Sequence, residues 1–308
     1  MEQNRVDKPS KSEIAIFFLV TFGMSLFWGI IMYLGIYKNS YNISMFMMLV
    51  PAAGVALGKI HTKSEDKGIK QIHKIDTTAF GTIFLVLLIR TAGVITDALL
   101  TGCITIVGVV ASMIAILYSW VYSSQFNPAK NIKEIVKFVL GYTVITLAVI
   151  IWMNFSRIDI FLFQGVLFSL FTFMISGIFY FGEEYGWRGY LQPLLQDKFG
   201  KRWGVILVGI LWQIWHIPFY YPDVNWNLKV MITRFLYLPA LSVVFGYVYM
   251  KTENIWAVAF LHLISNVITV YLPKNTDKHY LPGLLFLSCI WFLLLFTKEY
   301  RNTNQKTP

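Results

Sequence analysis

The sequence predicts an all-α fold, a polytopic transmembrane helix bundle of about eight to ten spans with both termini in the cytoplasm. Composition is the first reason. Of 308 residues, 56% are hydrophobic and only 14% charged, against roughly 25% charged in a soluble domain, and mean hydropathy is +0.60. Apolar runs are the second: segments near the ~20 residues that cross a bilayer recur along the chain. The third is charge. With the N-terminus inside, 18 of the 26 Lys and Arg fall in inside segments and 5 in outside ones, with Arg90, Arg188 and Arg234 within spans. That bias is the positive-inside pattern, so the net charge of +10 points to a lipid bilayer and not to nucleic acid.

The runs follow in order. Residues 13–36 are too long and aromatic for a cleaved signal and lack a small-residue cleavage site, so they read as a retained span. Residues 43–59, 79–98 and 101–122 come next, the last two with a poorly marked boundary. Arg90 and Asp97 are seven residues apart, two turns on one helix face, and read as a structural pair. Spans at 136–154, 166–191, 203–220, 230–250, 255–272 and 281–297 complete ten. The polar stretch from Lys59 to Asp76 reads as a loop too short to make a core. His61, His73 and His279 lie in or beside loops and read as solvated. Cys103 and Cys289 have neither metal nor disulfide spacing. The chain divides into motif-free spans over 1–160, a functional core over 161–275, and a last span with its tail over 276–308.

Chemistry concentrates in that core. Glu183 and Glu184 sit inside the sixth run, where each carboxylate costs roughly 2.5–3.5 kcal/mol at bilayer depth. Glu184 and Arg188 are i and i+4, so they can pair on one face. Glu183 is rotated about 100° away, with Trp187 at its i+4 position, and is left to address a cavity. Counting along helices puts Glu183 and His216 each about 20 Å from the cytoplasmic end of a hairpin, and His262 about 16 Å. Three titratable groups from three helices thus approach one layer. His262 and Asn266, again i and i+4, can both donate to one point, as an oxyanion hole requires. One Glu and two His could equally hold zinc with an open position, though Asn266 beside His262 suits hydrogen bonding better.

These residues resemble the CPBP family of intramembrane proteases, which includes CAAX prenyl endopeptidases and bacterial homologues linked to bacteriocin processing or immunity. Glu183-Glu184-Tyr185-Gly186-Trp187-Arg188 matches EExxxR, His262-Leu263-Ile264-Ser265-Asn266 matches HxxxN, and His216 stands where FxxxH has its histidine. Trp212 departs from the motif's phenylalanine but keeps an aromatic wall. The resemblance covers about residues 165–272. It implies an endopeptidase acting on a prenylated, leader or membrane-associated peptide, with Glu183 as general base and His216 its partner in activating water. His262 and Asn266 are then oxyanion donors, and Glu184, Arg188 and Trp212 shape the site. The metal-free mechanism is favoured, with no cofactor; the zinc alternative would use Glu183, His216 and His262. Two other classes compete: a non-catalytic immunity or scaffolding protein, and a proton-coupled transporter. Confinement of the polar groups to one half disfavours the transporter, since transporters commonly show two related halves.

Overall fold

In the computed structural model, residues 8–63, 67–123, 125–154, 160–220, 228–270 and 280–301 are described, and every regular element among them is helical. The first span, α1 (Lys11–Tyr33), starts where the Ser10 side chain accepts the Glu13 N–H at 3.2 Å, a hydroxyl cap on an otherwise orphaned donor. The second is broken. α2 (Ser40–Met47) and α3 (Val50–Thr62) meet at Met48 and Leu49, with Pro51 in the first turn of α3. Pro51 lacks the N–H that would have continued the ladder.

Helix α4 (Lys67–Thr91) corrects two expectations. It begins well before residue 79, so most of the supposed polar loop is helix. His73 is buried within it and hydrogen-bonded through Nε2 to the Tyr185 hydroxyl at 2.9 Å. The physical reason is a mixed surface: Ile69, Ile72, His73, Asp76, Ala79 and Ile83 form a buried stripe at helical spacing, while Lys70, Gln71 and Lys74 are exposed. Averaging hydropathy along the chain cancels those two faces. His61 is exposed in the last turn of α3, and His279 lies outside the described residues.

The Arg90–Asp97 pair spans a corner and not one helix. α4 ends at Thr91, Gly93 turns the chain at φ +80°, and α5 runs Asp97–Tyr122. Arg90 Nε donates to Asp97 Oδ1 at 3.0 Å and Nη2 to Oδ2 at 3.2 Å. A cation in the last turn of one helix and an anion in the first turn of the next each complement their helix dipole.

The second half comprises α6 (Ile132–Asn154), α7 (Ile160–Glu184), a π-helical turn over Tyr185–Leu191, α8 (Gln192–Phe199), α9 (Lys201–Tyr220), α10 (Leu228–Thr252), α11 (Ile255–Val270) and α12 (Tyr280–Phe292). Among the described residues, eight helical stretches are long and apolar enough to cross a membrane, counting α2–α3 as one and α7–α8 as one. α11 and α12, with 16 and 13 residues, are apolar but shorter. This is a multi-pass membrane protein. α7 packs on α5 and α11, α9 packs on α10 and α1, and α3 lies between α1 and α4. Lipid gives helices no hydrophobic drive to associate, so close van der Waals approach at small residues carries the packing. Gly209 of α9 is one such point, where a Cβ would stand 2.8 Å from the Ser242 Cβ on α10.

The charge bias yields a topology test. Cysteines introduced at Lys67 and Lys133 are expected to react with an impermeant maleimide only from the cytoplasmic side. A cysteine at Asn275, which lies outside the described residues, is expected to react only from the opposite side. Labelling of Lys67 and Asn275 from one face would remove the even-span arrangement.

Candidate active site

The end of α7 carries the site. Glu183 and Glu184 are 2% and 0% exposed, and the backbone widens into a π-turn immediately after them. Such turns are rare and are frequently found at functional sites. Despite the widening, Arg188 Nη1 reaches Glu184 Oε2 at 3.0 Å, with both side chains fully buried. The guanidinium also lies 4.5 Å from the Trp212 ring centroid and 5.1 Å from that of Phe245. A buried cation is thus enclosed by one carboxylate and two aromatic faces.

Glu184 has a second partner. Its Oε1 accepts a hydrogen bond from His262 Nδ1 at 2.7 Å, which fixes the imidazole and turns Nε2 away from the ion pair. The rings of Tyr180, Trp212 and Phe245 stand 5.3–5.5 Å from the His262 ring. Asn266, one turn along α11, is accessible.

Glu183 faces a different set of groups. The Trp212 indole N–H donates to its Oε1 at 2.6 Å. His216 Nε2 stands 4.0 Å from the same oxygen, beyond direct hydrogen-bond range. His216 Nδ1 donates to the Trp212 carbonyl one turn back, at 2.7 Å. The carbonyl can only accept, so in the neutral ring the proton is on Nδ1 and the Nε2 lone pair is directed at the site. A carboxylate oxygen and an imidazole nitrogen, both acceptors, therefore face one another across a gap.

The structure brings Glu183, Glu184, Arg188, Trp212, His216 and His262 together, with Asn266 at the accessible edge. Two features escape sequence reasoning. Trp212 is a donor as well as a wall, and the available signal was its polar N–H handle one turn before His216. The attachment of His262 to Glu184 across 78 positions left no local signal. The zinc alternative does not fit this arrangement: among the described residues no three His, Cys, Asp or Glu side chains are placed to hold a metal ion.

Comparison with known proteins covers this region. The family described as type II CAAX prenyl endopeptidase Rce1-like matches residues 162–268, a segment containing all seven of these residues. The chain is also similar to CAAX prenyl protease 2 of Methanococcus maripaludis, 28% identical over 189 residues, covering 55% of this chain and 68% of that relative.

Proposed function

Because this chain belongs to the CPBP family of intramembrane proteases, we propose that it is an endopeptidase that hydrolyses a peptide bond within the membrane with water activated by Glu183. The observation that carries this reading is the 4.0 Å separation of Glu183 Oε1 and His216 Nε2. A water in contact with both would give one hydrogen to each acceptor and present its oxygen to a substrate carbonyl. As that oxygen bonds to the carbonyl carbon, the C=O π pair moves onto the carbonyl oxygen and Glu183 takes the water's proton. Collapse of the tetrahedral intermediate breaks the C–N bond, and Glu183 returns the proton to the leaving amine. His262 Nε2–H and the Asn266 amide are the oxyanion donors. A ring donating from both nitrogens carries a positive charge, and the Glu184 carboxylate at Nδ1 opposes it. Trp212 holds the base in one rotamer without taking its proton.

The substrate in this reading is a peptide held at the bilayer. The prenylated tail in the relative's name is one form, and a leader or other membrane-associated peptide is another. The test is incubation of the protein in proteoliposomes with matched farnesylated and unmodified peptides, followed by mass analysis. Products ending at one internal bond are expected, and absence of cleavage of every membrane-associated peptide would count against the enzyme.

Metal dependence is tested separately. In the metal-free reading, the purified active protein carries well under one zinc per chain and strong chelators leave its turnover unchanged. About one zinc per active chain, lost together with activity in His262→Ala, would overturn that reading.

A further inference from the structure

The first half of the chain contributes more than lipid-facing mass, because the acidic turn lies on a shelf made by α3 and α4. Two glycines four residues apart, Gly182 and Gly186, bracket Glu183 and Glu184. A Cβ on Gly182 would stand 2.9 Å from the Met48 carbonyl oxygen, 3.0 Å from Asp76 Oδ1 and 3.1 Å from the Leu49 Cα. A Cβ on Gly186 would stand 2.8 Å from the carbonyl carbon of Pro51. Backbone therefore lies directly on backbone where the second span is broken, as small residues allow between membrane helices.

A shelf that only filled space would be apolar. This one carries two ionisable side chains of α4, three residues apart and so on one face. His73 is 2% exposed and bonds through Nε2 to the hydroxyl of Tyr185, the residue after Glu184 and the first of the π-turn. Asp76 is 1% exposed, and among the described residues neither of its oxygens has a hydrogen-bond partner. Its Oδ1 is packed against Gly182, the residue before Glu183. The Tyr185 ring is in turn stacked on Phe181, with centroids 5.7 Å apart and planes at 6°. Polar side chains at such depth are costly and usually functional. Neither residue touches the proposed water, and both lie outside the segment that matches the family.

We propose that His73 and Asp76 are positioning residues for the hydrolysis, holding the Gly182–Gly186 turn near its two ends, at Tyr185 and at Gly182, so that the Glu183 carboxylate is held at its distance from His216. The inference rests on the proposed role of Glu183. Its physical basis is that a displacement of about 1 Å at a reacting group can cost about 10²-fold in rate. Loss of the grip therefore lowers kcat and leaves peptide binding alone.

The experiment uses the full chain in detergent or proteoliposomes with a cleavable membrane-associated peptide. Tyr185→Phe removes one hydroxyl and His73→Leu removes the ring nitrogens. Each is expected to lower kcat about tenfold to a hundredfold with KM within about twofold. The double variant is expected to lose no more than either single one, since both break the same bond. His73→Gln, whose amide can still meet the phenol oxygen, is expected to recover most of the loss. Asp76→Asn, which keeps shape and polarity, is expected to retain more turnover than Asp76→Leu. If His73→Leu does not fold, the Tyr185→Phe result decides. Wild-type kcat in Tyr185→Phe, additive losses in the double variant, a change in KM alone, or no rescue by His73→Gln would each overturn the inference. Glu183→Gln is run in parallel: its activity at the wild-type rate would sink the proposed reaction itself, whereas an inactive Glu183→Gln beside a fully active Tyr185→Phe sinks only the positioning role.

Discussion

Glu183→Gln is expected to abolish peptide cleavage while leaving the bundle folded. Loss of a general base typically costs about 10²–10⁴-fold, and removing one member of a group that acts as a unit can cost more. The fold is expected to survive because the substitution keeps the hydrogen bond that holds this side chain. The Gln carbonyl oxygen can accept the Trp212 indole N–H that now reaches Glu183 Oε1 at 2.6 Å. Nor does the change strand Arg188, whose guanidinium is paired with Glu184. The measurement is kcat on a membrane-associated peptide beside thermal unfolding in detergent. Wild-type turnover in a protein melting at the wild-type temperature would show that Glu183 is not the base.

How much of this was legible in the sequence depends on distance along the chain. The helical class was legible because lipid requires apolar runs of nearly fixed length and leaves them in the composition. The Glu184–Arg188 ion pair was legible because i,i+4 geometry is local. What the sequence hid is contact between remote elements. His73 reads as a loop histidine when its neighbours Lys70, Gln71 and Lys74 are averaged with it, yet it lies on the buried stripe of α4 and bonds to Tyr185, 112 positions away. Spacing puts His262 beside Asn266, but the strongest partner of its ring is Glu184. The corner at Gly93 was hidden for a third reason: Arg90 and Asp97 seven residues apart fit one helix as well as the end of one and the start of the next. Only the turn between them decides.

Glu184→Gln is expected to damage stability and turnover together, in contrast to Glu183→Gln. Arg188 and Glu184 are both fully buried and lie 3.0 Å apart. Neutralising the acid leaves a guanidinium in a low-dielectric interior with two aromatic faces for company. Breaking one side of such a pair costs on the order of 3–5 kcal/mol, because the remaining charge keeps its desolvation penalty and loses its compensation. Turnover falls for a separate reason. The Gln oxygen can still accept the His262 Nδ1–H, but without its charge it no longer opposes a positive ring donating to the oxyanion. The two effects separate in Glu184→Gln combined with Arg188→Met. Removing both charges is expected to restore most of the melting temperature and little of kcat. Melting at the wild-type temperature in Glu184→Gln alone would mean that the ion pair contributes no net stability. Recovery of full kcat in the double variant would remove Glu184 from the support of His262.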